Sequence, residues 1–198
     1  SVSWTAATDD FTSGSNIQYA LYRSSADNIR SVSDMETNGT LVRNYSNDTG
    51  PVLVTGLTIS SVYIFNVIAK DAAGNKAAYM YDVVYTLTDT TPPSVGVLTY
   101  SNVTMSSIDL SWTAATDNYS TGTGITYAVY RSSSNNLDTV ANIEANGTKV
   151  MDYTANITSY SATGLTYNTA YYFNVIVKDQ YGNKAAYVAN TATTLNDT

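Results

Sequence analysis

The chain contains no cysteine and no histidine among its 198 residues. The first absence excludes a disulfide framework and any thiolate metal site. The second removes the commonest general base and the commonest zinc ligand. Charge is also scarce: 13 % of residues are ionic, nine Lys and Arg stand against 16 acids, and the net charge is −7. With its few cations scattered, the chain offers no basic face for nucleic acid or an anionic membrane. No apolar run approaches the roughly 20 residues that insert across a bilayer. Glutamate occurs only as Glu36 and Glu144, and these fall at the same place in two successive copies of one repeat. They should therefore lie a domain length apart, whereas paired glycosidase carboxylates sit within about 10 Å. The serines have no base to activate them. This inventory points away from an enzyme.

What the chain does have is repetition. Residues 109–198 overlay residues 1–90 without a gap at an offset of 108, matching Trp112 with Trp4, Tyr130 with Tyr22, Gly164 with Gly56, Tyr171 with Tyr63 and Asn183 with Asn75. Fixed-period self-similarity of this kind marks a tandem array of one structural unit. Two domains follow, 1–90 and 91–198, each of ordinary size. Stalks, spacers and fibres use a fold repeatedly, which a catalytic chain rarely needs.

Short alternating stretches dominate each copy, such as Ile108–Leu110–Trp112 and Tyr171–Phe173–Val175–Val177. Period two in Tyr-, Val- and Ile-rich segments predicts half-buried strands. Asn38–Gly39, Asn146–Gly147, Gly74–Asn75 and Gly182–Asn183 read as hairpin turns. One segment departs from alternation: Leu137, Val140 and Ile143, like Ile29, Val32 and Met35, recur every three residues. That spacing predicts a turn or two of helix, α or 3-10, over a sheet edge.

Trp112-Thr-Ala-Ala-Thr-Asp117, Tyr127-Ala-Val-Tyr130, Gly164-Leu165 with Tyr171-Tyr-Phe173-Asn-Val175 downstream, and Asp179-Gln-Tyr-Gly182-Asn183 together resemble a bacterial fibronectin type III domain. The first copy repeats the motifs from Trp4 to Asn75. The resemblance implies an all-β, immunoglobulin-like sandwich of seven strands, with sheets A-B-E and C′-C-F-G. It places Trp4 and Trp112 on strand B and makes Tyr63 and Tyr171 tyrosine-corner residues. The helix becomes an insert between strands C and C′. The first copy starts inside strand B and lacks strand A, so the chain reads as a slice of a longer array. Pro92-Pro93 predicts a stiff, extended join.

Three sets of residues are candidates for more than architecture. The family topology collects Asp117 and Asp179 near Asp89, and Asp9 and Asp71 at the matching end of the first copy. Oxygen-rich clusters of this kind suit a structural Ca²⁺, but the pattern lacks the dense acidic spacing of a dedicated Ca²⁺ loop, which favours these residues closing their own turns. Asn-X-Ser/Thr occurs at Asn38, Asn44, Asn47, Asn102, Asn118, Asn146, Asn156 and Asn196, marking glycosylation candidates in a secreted chain. Among 18 tyrosines, Tyr79, Tyr81, Tyr119, Tyr172, Tyr181 and Tyr187 fall on the non-core alternation or in turns, where exposed rings would suit subunit contacts or sugar stacking.

The reading that unites these features is a non-catalytic spacer, stalk or fibre segment of an extracellular or cell-surface prokaryotic repeat protein, with neighbouring repeats or copies of itself as partners. The alternative is a carbohydrate- or protein-binding module, either an adhesin or an accessory domain of a polysaccharide-degrading enzyme. The absence of disulfides favours a prokaryotic source.

Overall fold

The computed structural model describes residues 1–197. They form two compact units, Ser1–Thr88 and a second beginning at Asp89. The repeat boundary after Thr90 is thus displaced by two residues. The cause is local: Asp89 is buried in the second unit, where its carbonyl accepts the Asn183 side-chain amide (3.1 Å).

In the second unit, β6 (Leu98–Ser101), β7 (Ser107–Trp112) and β10 (Ser159–Thr163) form an antiparallel sheet in the order β10-β7-β6. Facing it are β8 (Thr126–Ser132), β9 (Thr148–Ala155), β11 (Ala170–Lys178) and β12 (Lys184–Ala186), in the order β12-β11-β8-β9. β13 (Asn190–Thr193) pairs with the first half of β11. In strand letters this is E-B-A against G-F-C-C′, with the last strand broken in two. Ile108, Leu110 and Trp112 alternate inward from β7 and meet Val129, Phe173 and Val175 in one core. The break falls at Tyr187, whose ring is buried in that core and whose carbonyl accepts the buried Asn174 amide (2.9 Å) instead of a ladder partner.

Strands β8 and β11 are buried on both faces, which explains why Tyr-Ala-Val-Tyr does not alternate in polarity. A helix covers the outer face. α2 (Val140–Asn146) packs Ile143, with Leu137 just before it, onto Ala128, Tyr130 and Ile176. Thr139 caps it by accepting from Asn142 N–H (3.1 Å), satisfying one orphan donor of the first turn. Glu144 then reaches Lys184 on β12 (2.6 Å). Of the two helix forms the three-residue spacing allows, the chain takes α. Asn146–Gly147 is the helix exit rather than a hairpin turn. Asn146 lies within α2, and Gly147 N–H donates to Ile143 carbonyl (2.9 Å). A Cβ on Gly147 would lie 2.7 Å from that carbonyl oxygen and 3.1 Å from Tyr130 Cβ. We therefore expect Gly147→Ala to cost about 1–3 kcal/mol. An unchanged denaturation midpoint would refute this.

The first unit repeats the helix-covered sheet. Its strands are β1 (Gln18–Ser24), β2 (Thr40–Ser46), β3 (Val62–Lys70), β4 (Lys76–Ala78) and β5 (Asp82–Tyr85). They pair as β2-β1-β3-β4, with β5 on β3. α1 (Val32–Asn38) carries a capping box, in which Ser31 and Asp34 each accept from the other's N–H (both 3.1 Å), and Glu36 pairs with Lys76 (2.5 Å). Here too the Asn-Gly hairpin expectation is corrected, since Asn38 ends the helix and Gly39 caps it. The facing layer is reduced to a single antiparallel bridge between Val2 and Val52. Trp4 is accordingly only half-buried beside Tyr19, whereas Trp112 is 5 % exposed beside Tyr127. Among the described residues no third strand pairs beside Val2, so the first unit's facing layer is smaller than the three-stranded one of the second.

Candidate functional site

Aspartates organise the loops at one end of each unit. Asp179 accepts from Tyr181 N–H and Asn183 N–H through Oδ1 (both 2.8 Å) and from the Asn183 side chain through Oδ2 (2.7 Å). Gly182, at φ +94°, supplies the left-handed residue this turn requires. Asp71 holds Asn75 in the same way (2.8 and 2.7 Å), and that side-chain hydrogen bond keeps its carboxyl below the ordinary carboxylate range.

The second unit adds two more carboxylates to this turn. Asp89 comes from the segment leading into the domain and Asp117 from the loop after β7. An oxygen from each of Asp89, Asp117 and Asp179 lies within 4.8 Å of the others. Asp89 and Asp179 are buried, and Asp117 is half-buried. Asp89 Oδ1 accepts from Thr91 N–H (3.0 Å) and from Asn118 Nδ2 (3.4 Å), while Asp117 Oδ2 accepts from Tyr119 N–H (3.4 Å). Asp89 Oδ2 and Asp117 Oδ1 are shielded from solvent and accept no hydrogen bond among the described residues. In the first unit Asp9 and Asp71 line one groove of about 160 Å³, and no third acid joins them among the described residues. Asp9 spends its Oδ1 on Phe11 and Thr12 N–H. The five aspartates therefore divide into a three-carboxylate cluster and an open pair.

All eight glycosylation candidates carry exposed asparagines; the Thr198 of the last, at Asn196, lies outside the described residues. Asn38 and Asn146 donate to the carbonyls of Asn28 and Asn136, tying each helix exit to the strand-to-helix turn. Asn47 donates to Ser15 carbonyl, Asn102 to Asp109 and Asn118 to Asp89. Among the described residues, Asn44 and Asn156 donate no such bond from their amide nitrogens.

The tyrosine expectations need correction. Tyr187 is 1 % exposed and Tyr79 half-buried, and their phenols donate to the carbonyls of Thr113 and Thr5. They fill each sandwich where the last strand bends inward, so neither ring is offered to a ligand. Tyr81, Tyr172 and Tyr181 are half-buried, and of the six only Tyr119 is exposed. Tyr63 and Tyr171 form tyrosine corners, accepting from Thr58 N–H (3.0 Å) and Thr166 N–H (2.9 Å). Removing the corner phenol in Tyr171→Phe should cost about 1 kcal/mol by urea titration; no change would discount the corner.

Buried phenols make the chain sensitive to alkali. Burial pushes Tyr79 up to about 12 and raises Tyr100, Tyr153 and Tyr187 further. Each folded value lies above the unfolded one near 10, so the folded state keeps protons that the unfolded state has lost. Their contribution is complete below about pH 10 and falls as pH rises through the folded values. Tyr63 and Tyr171 run the other way, lowered by their Thr58 and Thr166 hydrogen bonds, but both phenols are open to solvent. We expect stability to drop steeply between about pH 10 and 12. A flat denaturation midpoint across that range would count against the buried phenols.

Sequence reasoning missed two deeply buried asparagines, Asn66 and Asn174. Asn174 is fully buried; its amide donates to Leu137 carbonyl (2.6 Å) and Tyr187 carbonyl (2.9 Å), and its Oδ1 accepts from Val175 N–H (2.7 Å). Asn66 does the same for Ile29 carbonyl and Val67 N–H (both 2.8 Å). They lock the helical insert to the sheet. The only signal was a lone Asn recurring at the same place in a strand of hydrophobic residues.

Strand order, corner tyrosines and repeat register define the class: the chain has the fold of tandem fibronectin type III domains. No protein-family model matches it. It is 35 % identical over 203 aligned residues to exoglucanase B of Cellulomonas fimi, which covers 100 % of this chain and 15 % of that protein. It is 37 % identical to chitinase A1 of Niallia circulans over 140 residues, covering 67 % of this chain and 17 % of that one. The chain therefore spans about a sixth of these relatives' length. Among solved structures, the crystal structure of chicken CNTN1 FN1-FN3 domains aligns with a TM-score of 0.42 and 16 % identity, covering 98 % of this chain and 62 % of that one. The fold assignment rests on the strand order and not on that overlay.

Proposed function

We propose that the chain is a non-catalytic spacer module of an extracellular polysaccharide-degrading protein. The observation that carries this reading is the match over the full length of the chain to a 15 % portion of an exoglucanase. A segment so small beside its relative, built as one fold used twice, is suited to separating other parts. The structure's own chemistry fits the same role. Glu36 and Glu144 are each committed to a lysine that ties helix to sheet. Tyr79 and Tyr187, which a sugar-stacking surface would need exposed, are turned inward.

The test is co-sedimentation of the purified chain with crystalline cellulose and with chitin, together with a reducing-sugar assay of the supernatant. The spacer reading expects the chain to stay in solution and no sugar to be released. Retention on either polymer would make it a binding module, and sugar release would make it an enzyme.

A further inference from the structure

We propose that the second unit binds one hard divalent cation, Ca²⁺, through the carboxylates of Asp89, Asp117 and Asp179. The three oxygens lie within 4.8 Å of one another. Two oxygens on opposite sides of one Ca²⁺, each about 2.4 Å from it, are separated by about that distance, so a single ion can reach all three. Asp89 is 5 % exposed, yet its Oδ2 accepts no hydrogen bond, and Asp117 Oδ1 is likewise shielded and unpartnered. A buried carboxylate is normally paired, hydrogen-bonded or bound to metal. The chain's ion pairs use Asp27, Glu36, Asp48, Glu144 and Asp152, and no lysine or arginine among the described residues pairs with any of these three aspartates. A cation held among the three carboxylates supplies a partner that the protein itself does not.

The remaining hydrogen bonds orient the ligands. Thr91 N–H and Asn118 hold the other oxygen of Asp89, and Tyr181 and Asn183 hold Asp179. An all-oxygen donor set selects a hard ion over zinc or copper, with carbonyls or water completing six to eight ligands. Asp89 lies in the segment leading into the domain, Asp117 follows β7 and Asp179 opens the β11–β12 turn, so the ion would pin that segment to the body of the domain. The first unit is an internal control, because Asp9 and Asp71 lack a third carboxylate.

The experiment uses the full chain stripped with EDTA, titrated calorimetrically with CaCl₂ and melted with and without Ca²⁺. We expect one site per chain. At free Ca²⁺ a hundredfold above Kd, the second unit should melt about 10 °C higher while the first does not move. Asp117→Asn and Asp89→Asn should each abolish the site, whereas Asp9→Asn should leave it intact. In EDTA, Asp117→Asn should melt no lower than the unaltered chain, since it removes repulsion; a purely structural aspartate would lower the melt. Absence of binding heat and of any shift at about 10-millimolar Ca²⁺, roughly tenfold above the weak limit for extracellular modules, would overturn the proposal. So would Ca²⁺ binding undiminished in both variants.

Discussion

Asn174→Ala is expected to unfold the second unit at temperatures where the unaltered chain is intact. Three backbone groups depend on this one buried amide: Leu137 carbonyl, Tyr187 carbonyl and Val175 N–H. Alanine leaves them without those partners at a site that is fully shielded from water. Each orphaned group costs about 1–3 kcal/mol, so a total near 3–5 kcal/mol is expected, a large fraction of a domain's stability. The loss should also be local at first. Leu137 precedes α2, so hydrogen exchange should rise in the helical insert before the β7–β10 sheet opens. A variant within 1 kcal/mol of the parent would show that water or a backbone shift replaces the amide.

The second large effect belongs to Trp112. It ends β7 facing inward, 5 % exposed, with its ring 5.8 Å from that of Tyr127. Trp112→Ala should cost about 3–5 kcal/mol through lost burial and the cavity left behind. Trp112→Phe should cost far less, because the indole Nε1 makes no hydrogen bond that phenylalanine would forfeit. Trp4→Ala in the first unit should cost less than Trp112→Ala, since Trp4 is only half-buried. Urea denaturation of the three variants gives the ranking. Equal losses at Trp4 and Trp112 would mean that the first sandwich is as closed as the second.

The contrast between the units shows how far the sequence could be read. Alternation in Ile108–Leu110–Trp112 was enough for the strand faces, because half-buried strands advertise them, whereas the strand order followed only from the family resemblance. The helical insert was legible through Leu137, Val140 and Ile143, but its exit was misread. Asn-Gly normally signals a hairpin; here Gly147 is needed because Ile143 carbonyl and Tyr130 approach its α-carbon too closely for a side chain. Tyr79 and Tyr187 were misplaced for a related reason. Alternation assumes a regular strand, and the last strand breaks where Tyr187 turns inward. Of the five aspartates grouped from topology, three converge and two do not, since among the described residues no third acid joins Asp9 and Asp71. The asparagine locks carried no recognisable motif, because a buried amide is defined by what surrounds it in space.

That each unit folds around its own core can be tested with the single tryptophan each contains. Thermal unfolding of the full chain would be followed by fluorescence in Trp4→Phe, which reports the second unit, and in Trp112→Phe, which reports the first. The account predicts two distinct transitions, the first unit melting below the second because its facing sheet is a single bridge. One shared transition seen identically by both reporters would contradict it.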